Sequence, residues 1–219
     1  MIEIILLISA VLFIFALKLF GRPSTAHRAN SFAILAMSLS VFSAFNFDFS
    51  KYDSAFYITI VVSGLLGVLI SKRVQMTQMP ELVGLFNGFG GGASGAIAYV
   101  ELSGNSLPIS DVFVAIFSMV IGMFTFSGSL VAVMKLRGKL NNFSKKLADI
   151  FSVFLPTIIV IPAVLEMDDL LIEFIILVAL IAGIIRVAVI GGADMPVVIA
   201  FLNSLSGICL LYTSPSPRD

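Results

Sequence analysis

The sequence predicts an all-α protein, a polytopic transmembrane bundle of about eight spans with its N-terminus outside. Three observations predict it: composition, the length of the apolar runs, and the sidedness of charge. Of 219 residues, 59% are hydrophobic and 12% charged, and the mean hydropathy is +1.10. Soluble domains carry about a quarter charged residues, so this chain lacks the polar surface water requires. Lys+Arg and Asp+Glu are both 13, and without a basic excess nucleic-acid binding is excluded. One cysteine, Cys209, rules out a disulfide framework, and one histidine, His27, a histidine-rich metal site. No metal-ligand cluster is expected.

Apolar runs fall at 2–20, 32–47, 55–70, 82–100, 112–134, 150–165, 170–190 and 197–211. Most match the ~20 residues needed to cross a ~30 Å hydrocarbon core. The shorter second, third and sixth runs are expected to tilt or to extend into their flanking turns. The first run is no signal peptide. It begins with Glu3 where positive charge belongs, its lysine (Lys18) lies at the far end, and no cleavage site follows.

Assigning the connecting segments alternately to two sides places 11 of the 13 basic residues together. These are Lys18, Arg22, Arg28, Lys72, Arg73, Lys135, Arg137, Lys139, Lys145, Lys146 and Arg186. The opposite side receives Lys51 with Glu3, Asp48, Asp53, Glu101, Asp111, Glu166, Asp168, Asp169 and Glu173. This is the positive-inside pattern, and deleting any whole span would destroy it. Residues 1–211 read as one transmembrane domain. Residues 212–219 form a polar, proline-bearing tail, either a terminal linker or, on the preferred reading, the non-native end of a truncated gene.

Two segments on the basic side repeat one pattern, MP-x6-N-[GS]-x-[GS]-G, at 79–91 and 195–207. Pro suits the first turn of a helix, where its missing N–H costs nothing. Asn87 and Asn203 then lie seven residues beyond Pro80 and Pro196, at equal depths of roughly 10 Å. Their helices run the same way. Gly84, Gly88 and Gly92, and beside them Asn87, Gly91 and Gly95, form small-residue stripes suited to close helix packing. Ser206 and Gly207 share the face of Asn203. Two readings stand for the asparagines: interhelical glue worth about 0.6 kcal/mol each, or neutral amides lining a water or proton path.

Glu81 and Asp194 accompany the two elements. Ordinary capping and favourable interaction with the helix dipole explain Glu81. Asp194 lies in Gly191-Gly192-Ala193-Asp194, whose freedom exceeds what a cap needs, so gating or coupling to a partner is the alternative. Arg186 snorkels at the end of its span, with a secondary role as counter-ion to Asp194. Thr125, Ser127 and Ser129 are expected to bond back to their own helix, and His27 to face solvent. No P-loop, GxGxxG fingerprint or catalytic triad is present, and Gly88–Gly92 has the wrong spacing to cradle phosphate.

VQMTQMPELVGLFNGFGGGAS and GGADMPVVIAFLNSLSG resemble the beta subunit of proton-translocating NAD(P) transhydrogenase. The KKLADIF helix start and the span spacing are similar too, and the resemblance covers roughly residues 1–209. It implies the membrane domain of an enzyme complex that moves a hydride from NADH to NADP+ while protons enter the cytoplasm. Asn203 matches a polar residue of the family's proton path, and Asp194 a residue linked to coupling with the nucleotide domain. Glu81 and Arg186 join Asp194 as coupling candidates, and Ser206 joins the path. Asn87 stands where better-known members carry histidine, so the ionisable carrier must lie on the partner subunit, on Glu81 or on Asp194. The resemblance also implies an alpha-subunit partner, a dimer of alpha–beta units, and a bacterial cytoplasmic (inner) membrane. NADP(H) would bind a further C-terminal domain and NAD(H) the partner. This chain itself should hold no cofactor and alone perform no hydride transfer. A secondary transporter or channel subunit without enzymatic activity is the alternative, and a purely structural membrane subunit a third reading.

Overall fold

The structure, a computed structural model, describes residues 2–44, 53–104, 108–140 and 169–213. Among them are seven α-helices and no strand: α1 Ile2–Phe20, α2 Ala26–Ala44, α3 Ser54–Arg73, α4 Met79–Gly104, α5 Ile109–Leu136, α6 Asp169–Ala188 and α7 Met195–Thr213. Each coincides with one of the apolar runs. The run at 150–165 lies outside the described residues, as do Asp48, Lys51, Lys145, Lys146, Glu166, Asp168 and the polar tail from Ser214. Helices α2 and α3 do extend into their polar flanks, because a backbone ladder continues past the last apolar side chain. Among the described residues, four helices are long and apolar enough to cross a membrane: Ile2–Phe20, Ser54–Arg73, Asp111–Leu136 and Leu170–Ala188. In α2 serines, and in α4 glycines and an asparagine, dilute the apolar character.

The chain divides into two compact units, residues 1–72 and 73–219. In the first, α1 and α2 form an antiparallel hairpin closed by small residues. Ser9 Oγ donates to Ala36 O at 2.7 Å and lies 2.6 Å from Ser40 Oγ. Ala16, Ala29 and Ala36 are buried in the seam, and Phe15 meets Phe32 edge-on at 5.2 Å. The reversal is set by Pro23 in a 3-10 turn, with Thr25 Oγ1 donating to Leu19 O at 2.6 Å. His27 is exposed, as expected. Helix α3 has no buried residue, and its Ile58, Val61 and Leu65 are exposed, which suits lipid or neighbouring helices.

In the second unit α5 is the central post, packed by α4, α6 and α7. Toward one end Ala98, Ile116, Met119, Ile172 and Ile175 form an apolar cluster. Toward the other, Val131, Ala132, Val187, Met195, Ile199 and Leu202 form a second. These pairings make α4 and α7 parallel to each other and antiparallel to α5. The α4–α5 seam is made of glycine. A Cβ on Gly122 would lie 2.6 Å from both Gly91 O and Gly95 N, so the two backbones touch. The buried stripe on α4 is Gly84, Gly88, Gly91 and Gly95. Gly92 is only half-buried, beside the Phe126 ring. A helix turns every 3.6 residues, so a contact face steps by fours and threes; uniform steps of four drift off it.

Helix α5 ends at Gly138, whose φ of +66° is the left-handed conformation glycine adopts freely. Lys139 N–H closes on Met134 O at 3.0 Å across it. At this end of the unit lie Glu81, Lys135, Arg137, Lys139, Arg186 and Asp194; toward the other lie Glu101, Asp111, Asp169 and Glu173. Among the described residues, one end is net basic and the other wholly acidic.

Candidate functional site

The repeated sequence pattern is a repeated structure. Each copy begins with a one-turn 3-10 helix, Met76–Gln78 or Gly192–Asp194, that passes directly into an α-helix starting at the methionine. Each proline is therefore the second residue of its helix, and each asparagine stands eight residues in, about 12 Å from the helix start. The first copy is pinned by Gln75 and Gln78, with Gln75 N–H donating to Gln78 Oε1 at 3.2 Å. The second has no side-chain cap.

Between α4 and α7 lies a cavity of about 640 Å³, whose lining includes Asn87, Gly90 and Gly91 from one helix and Asn203, Ser206 and Gly207 from the other. The two asparagines and Ser206 thus share one space. Glycine makes the room: at Gly90 and Gly207 a Cβ would meet nothing within 4 Å. Asn87 Nδ2 donates to Ser129 Oγ on α5 at 2.9 Å, which fixes the amide across the α4–α5 seam. Ser206 Oγ donates to Leu202 O at 3.2 Å, leaving lone pairs for water in the cavity. Asn203 is exposed and makes no side-chain hydrogen bond among the described residues. None of the described residues lining the cavity is ionisable.

The hydroxyls of Thr125, Ser127 and Ser129 on α5 differ from their expected uniformity. Ser127 Oγ does bond back, to Phe124 O at 3.2 Å. Ser129 instead receives Asn87, and Thr125 Oγ1 is buried without a hydrogen bond among the described residues. Close packing is the reason: Gly91 brings α4 against Thr125, and at Ser129 an interhelical partner replaces the local bond.

At the basic end, Glu81 does not act as a simple cap. Its carboxylate accepts from Arg137 Nε at 2.6 Å, joining the first turn of α4 to the end of α5. With half of Arg137 exposed, such a pair contributes up to about 1 kcal/mol. Asp194 is exposed on its turn and Arg186 is exposed in the last turn of α6, as snorkelling requires. The two form no ion pair among the described residues. The cation buried at this end is Lys135, whose Nζ donates to the carbonyls of Ala188 and Ile190 at the end of α6. Glu81 and the segment leading into the Asp194 turn are therefore attached to opposite sides of the end of α5.

The family model for the NAD(P) transhydrogenase beta subunit matches residues 2–213. The chain belongs to the NAD(P) transhydrogenase beta-subunit family. Two sequences of NAD(P) transhydrogenase subunit beta from Rhodospirillum rubrum are each 29% identical to it over 215 residues, covering 92% of this chain and 46% of theirs. The chain thus spans about half the length of the curated relatives it matches. Apolar helices and family membership together make it an integral membrane protein.

The family name implies nucleotides, and the glycine-rich stretch of α4 does not fit one. The glycine-rich stretch around Gly88–Gly92 lies inside α4 with Gly88 and Gly91 buried against α5. Its N–H groups are spent on the helix ladder and cannot cradle a phosphate. Two residues at the site have partners the sequence does not indicate: Ser129, expected to bond back to its own helix, and Lys135, counted only among the basic-side charges. Ser129 shares a helix face with Gly122 and Thr125, a four-and-three spacing that marks the α4 contact. Lys135 stands one step inside the Arg137–Lys139 basic turn, directly after an apolar run, where a lysine must find acceptors or snorkel.

Proposed function

We propose that this chain is the proton-conducting membrane part of a proton-translocating NAD(P) transhydrogenase, in which proton entry drives hydride transfer from NADH to NADP+. The observation that carries the reading is the cavity between α4 and α7, which takes in Asn87, Asn203 and Ser206 together. Amides and hydroxyls donate and accept at once, so they order water into a relay without holding charge. Asn87 is held by Ser129 and keeps its Oδ1 as an acceptor. An amide does not bind a proton near neutral pH. With no ionisable group among the described residues that line the cavity, and Glu81 engaged by Arg137, the carrier that completes the path comes from a partner alpha subunit. The exposed Asp194 turn faces the soluble, nucleotide-binding parts of the complex, which hold NADP(H) and NAD(H).

The same reading gives eight spans, an external N-terminus, and residence in a bacterial cytoplasmic membrane as a dimer of alpha–beta units. It is supported by the gathering of Lys135, Arg137, Lys139 and Arg186 at one end of the second unit.

The test is proton-coupled transhydrogenation in vesicles containing the full-length subunit and its partner. Asn87→Leu and Asn203→Leu should each assemble and each lower coupled turnover by about 10²-fold, the scale of a lost proton-transfer group. The double variant should be hardly worse than either single one, because a path already cut cannot be cut again. Packing residues would behave otherwise, with additive losses of stability. Full activity in both single variants rules the shared path out.

A further inference from the structure

The last turn of α5 carries two cations two residues apart, and a helix points such residues to different sides. Arg137 reaches α4 through Glu81. Lys135 reaches the opposite way, is 6% exposed, and donates to the carbonyls of Ala188 and Ile190. Those carbonyls flank the end of α6, where a helix leaves its last C=O groups without intrahelical partners and concentrates partial negative charge. They also open the Gly191–Asp194 turn. Gly192 comes back over α5, its ideal Cβ 3.6 Å from Lys135 O, and the following Met195 is fully buried against the cluster of Val131, Val187 and Leu202. The turn is therefore held at both ends: by the ammonium before it and by the Met195 side chain after it. No second element supplies donors to those two carbonyls among the described residues.

We propose that Lys135 is a positioning residue that fixes the Gly191–Asp194 turn to α5 and thereby sets the place of α7 relative to α4. Six residues earlier on α5, about 9 Å along the helix, Ser129 holds Asn87; nine residues beyond Asp194, α7 carries Asn203. Lys135 is the buried polar link between these two arms. A displacement of the exposed Asp194 turn must either break the two carbonyl bonds or carry the end of α5, and Ser129 with it. Buried carbonyls deprived of their donor are costly, so the turn moves with α5 while Lys135 is present and independently of it once Lys135 is lost. The inference rests on the proposed proton path only for its effect on turnover; the attachment itself is structural.

Two measurements on the full-length subunit with its partner test it, using Lys135→Met, Lys135→Arg and, as an exposed control, Lys139→Met. Amide hydrogen exchange across residues 188–195 should be about tenfold or more faster in Lys135→Met, the scale set by losing hydrogen bonds to a charged donor. It should stay near wild type in Lys135→Arg, which keeps a cation, and in Lys139→Met. In vesicles, Lys135→Met should lower the ratio of protons moved to hydride transferred, while Lys135→Arg restores it. Unchanged exchange in Lys135→Met overturns the proposal. Failure of Lys135→Met to assemble in the membrane also overturns it, since the lysine would then be a requirement of folding. Faster exchange with an unchanged proton-to-hydride ratio leaves the attachment standing and removes instead the coupling role of the turn.

Discussion

Asn87 is half-buried and donates to Ser129, and both facts bear on what can replace it. Histidine at the same place keeps a ring N–H for Ser129 and adds a group that titrates near about 6.5. The cavity beside residue 87 is open enough to hydrate it. Asn87→His should therefore remain active in vesicles with its partner, with a new inflection in its rate near pH ~6.5. The imidazole is cationic below that value and neutral above it. If it loads the proton, turnover falls as pH rises through the inflection. A flat profile between roughly pH 5.5 and 7.5 would show that position 87 faces no water. The asparagines were legible in the sequence because a repeated spacing from Met-Pro sets their depth without reference to any neighbour. Ser129 and Lys135 were not. A hydroxyl or ammonium on a helix has a local default, back-bonding or snorkelling, and only the approach of α4 or α6 reveals the partner that wins.

At the scale of elements, the hydropathy runs found all seven described helices and set most ends within a few residues. The ends moved where polar residues carry on the helix, as at Ala26–Ser31 of α2. Packing was harder to read. The glycines of α4 announced a close approach, but the face depends on the partner helix, and the buried set mixes two stripes that a fixed step of four keeps apart. Backbone contact makes that seam unforgiving. Gly122→Ala places a methyl against Gly91 O and Gly95 N, atoms that cannot rotate away, so α4 and α5 must separate. The expected loss is about 1–3 kcal/mol, together with the Asn87–Ser129 bond that spans the same seam. Gly64→Ala in α3 meets nothing within 4 Å and should be neutral or slightly stabilising, since alanine is favoured over glycine in a helix by about 0.5–1 kcal/mol. Thermal inactivation of the detergent-solubilised protein compares the two. Equal midpoints would mean that the α4–α5 contact is not as tight as the glycines make it.

For the molecule as a whole, sidedness is the property that composition and structure both constrain. Helices α4 and α7 start, and α5 and α6 finish, at one end of the second unit, and that end gathers Lys135, Arg137, Lys139 and Arg186. Glu101, Asp111, Asp169 and Glu173 mark the other. Basic residues in short connecting segments resist translocation far more than acidic ones do, so on the proposed topology the basic end is the cytoplasmic one. The orientation matters for the proposed function, in which protons enter the α4–α7 cavity from one side and leave toward the nucleotide-binding parts on the other. The split of charge was readable from sequence because charge counting needs no packing information, only the parity of the spans. Parity is also its weak point, since one span too many or too few between two markers puts both on the same side. Single cysteines at positions 139 and 168 therefore bracket the apolar run at 150–165, and an impermeant thiol reagent applied to oriented vesicles in a Cys209→Ser background reads them. Position 139 should label only from the cytoplasmic face and position 168 only from the opposite one. Labelling of both from one face would mean that the 150–165 run does not cross, which would leave seven spans. The two Met-Pro helices would then run in opposite directions through the membrane, contrary to their parallel packing against α5.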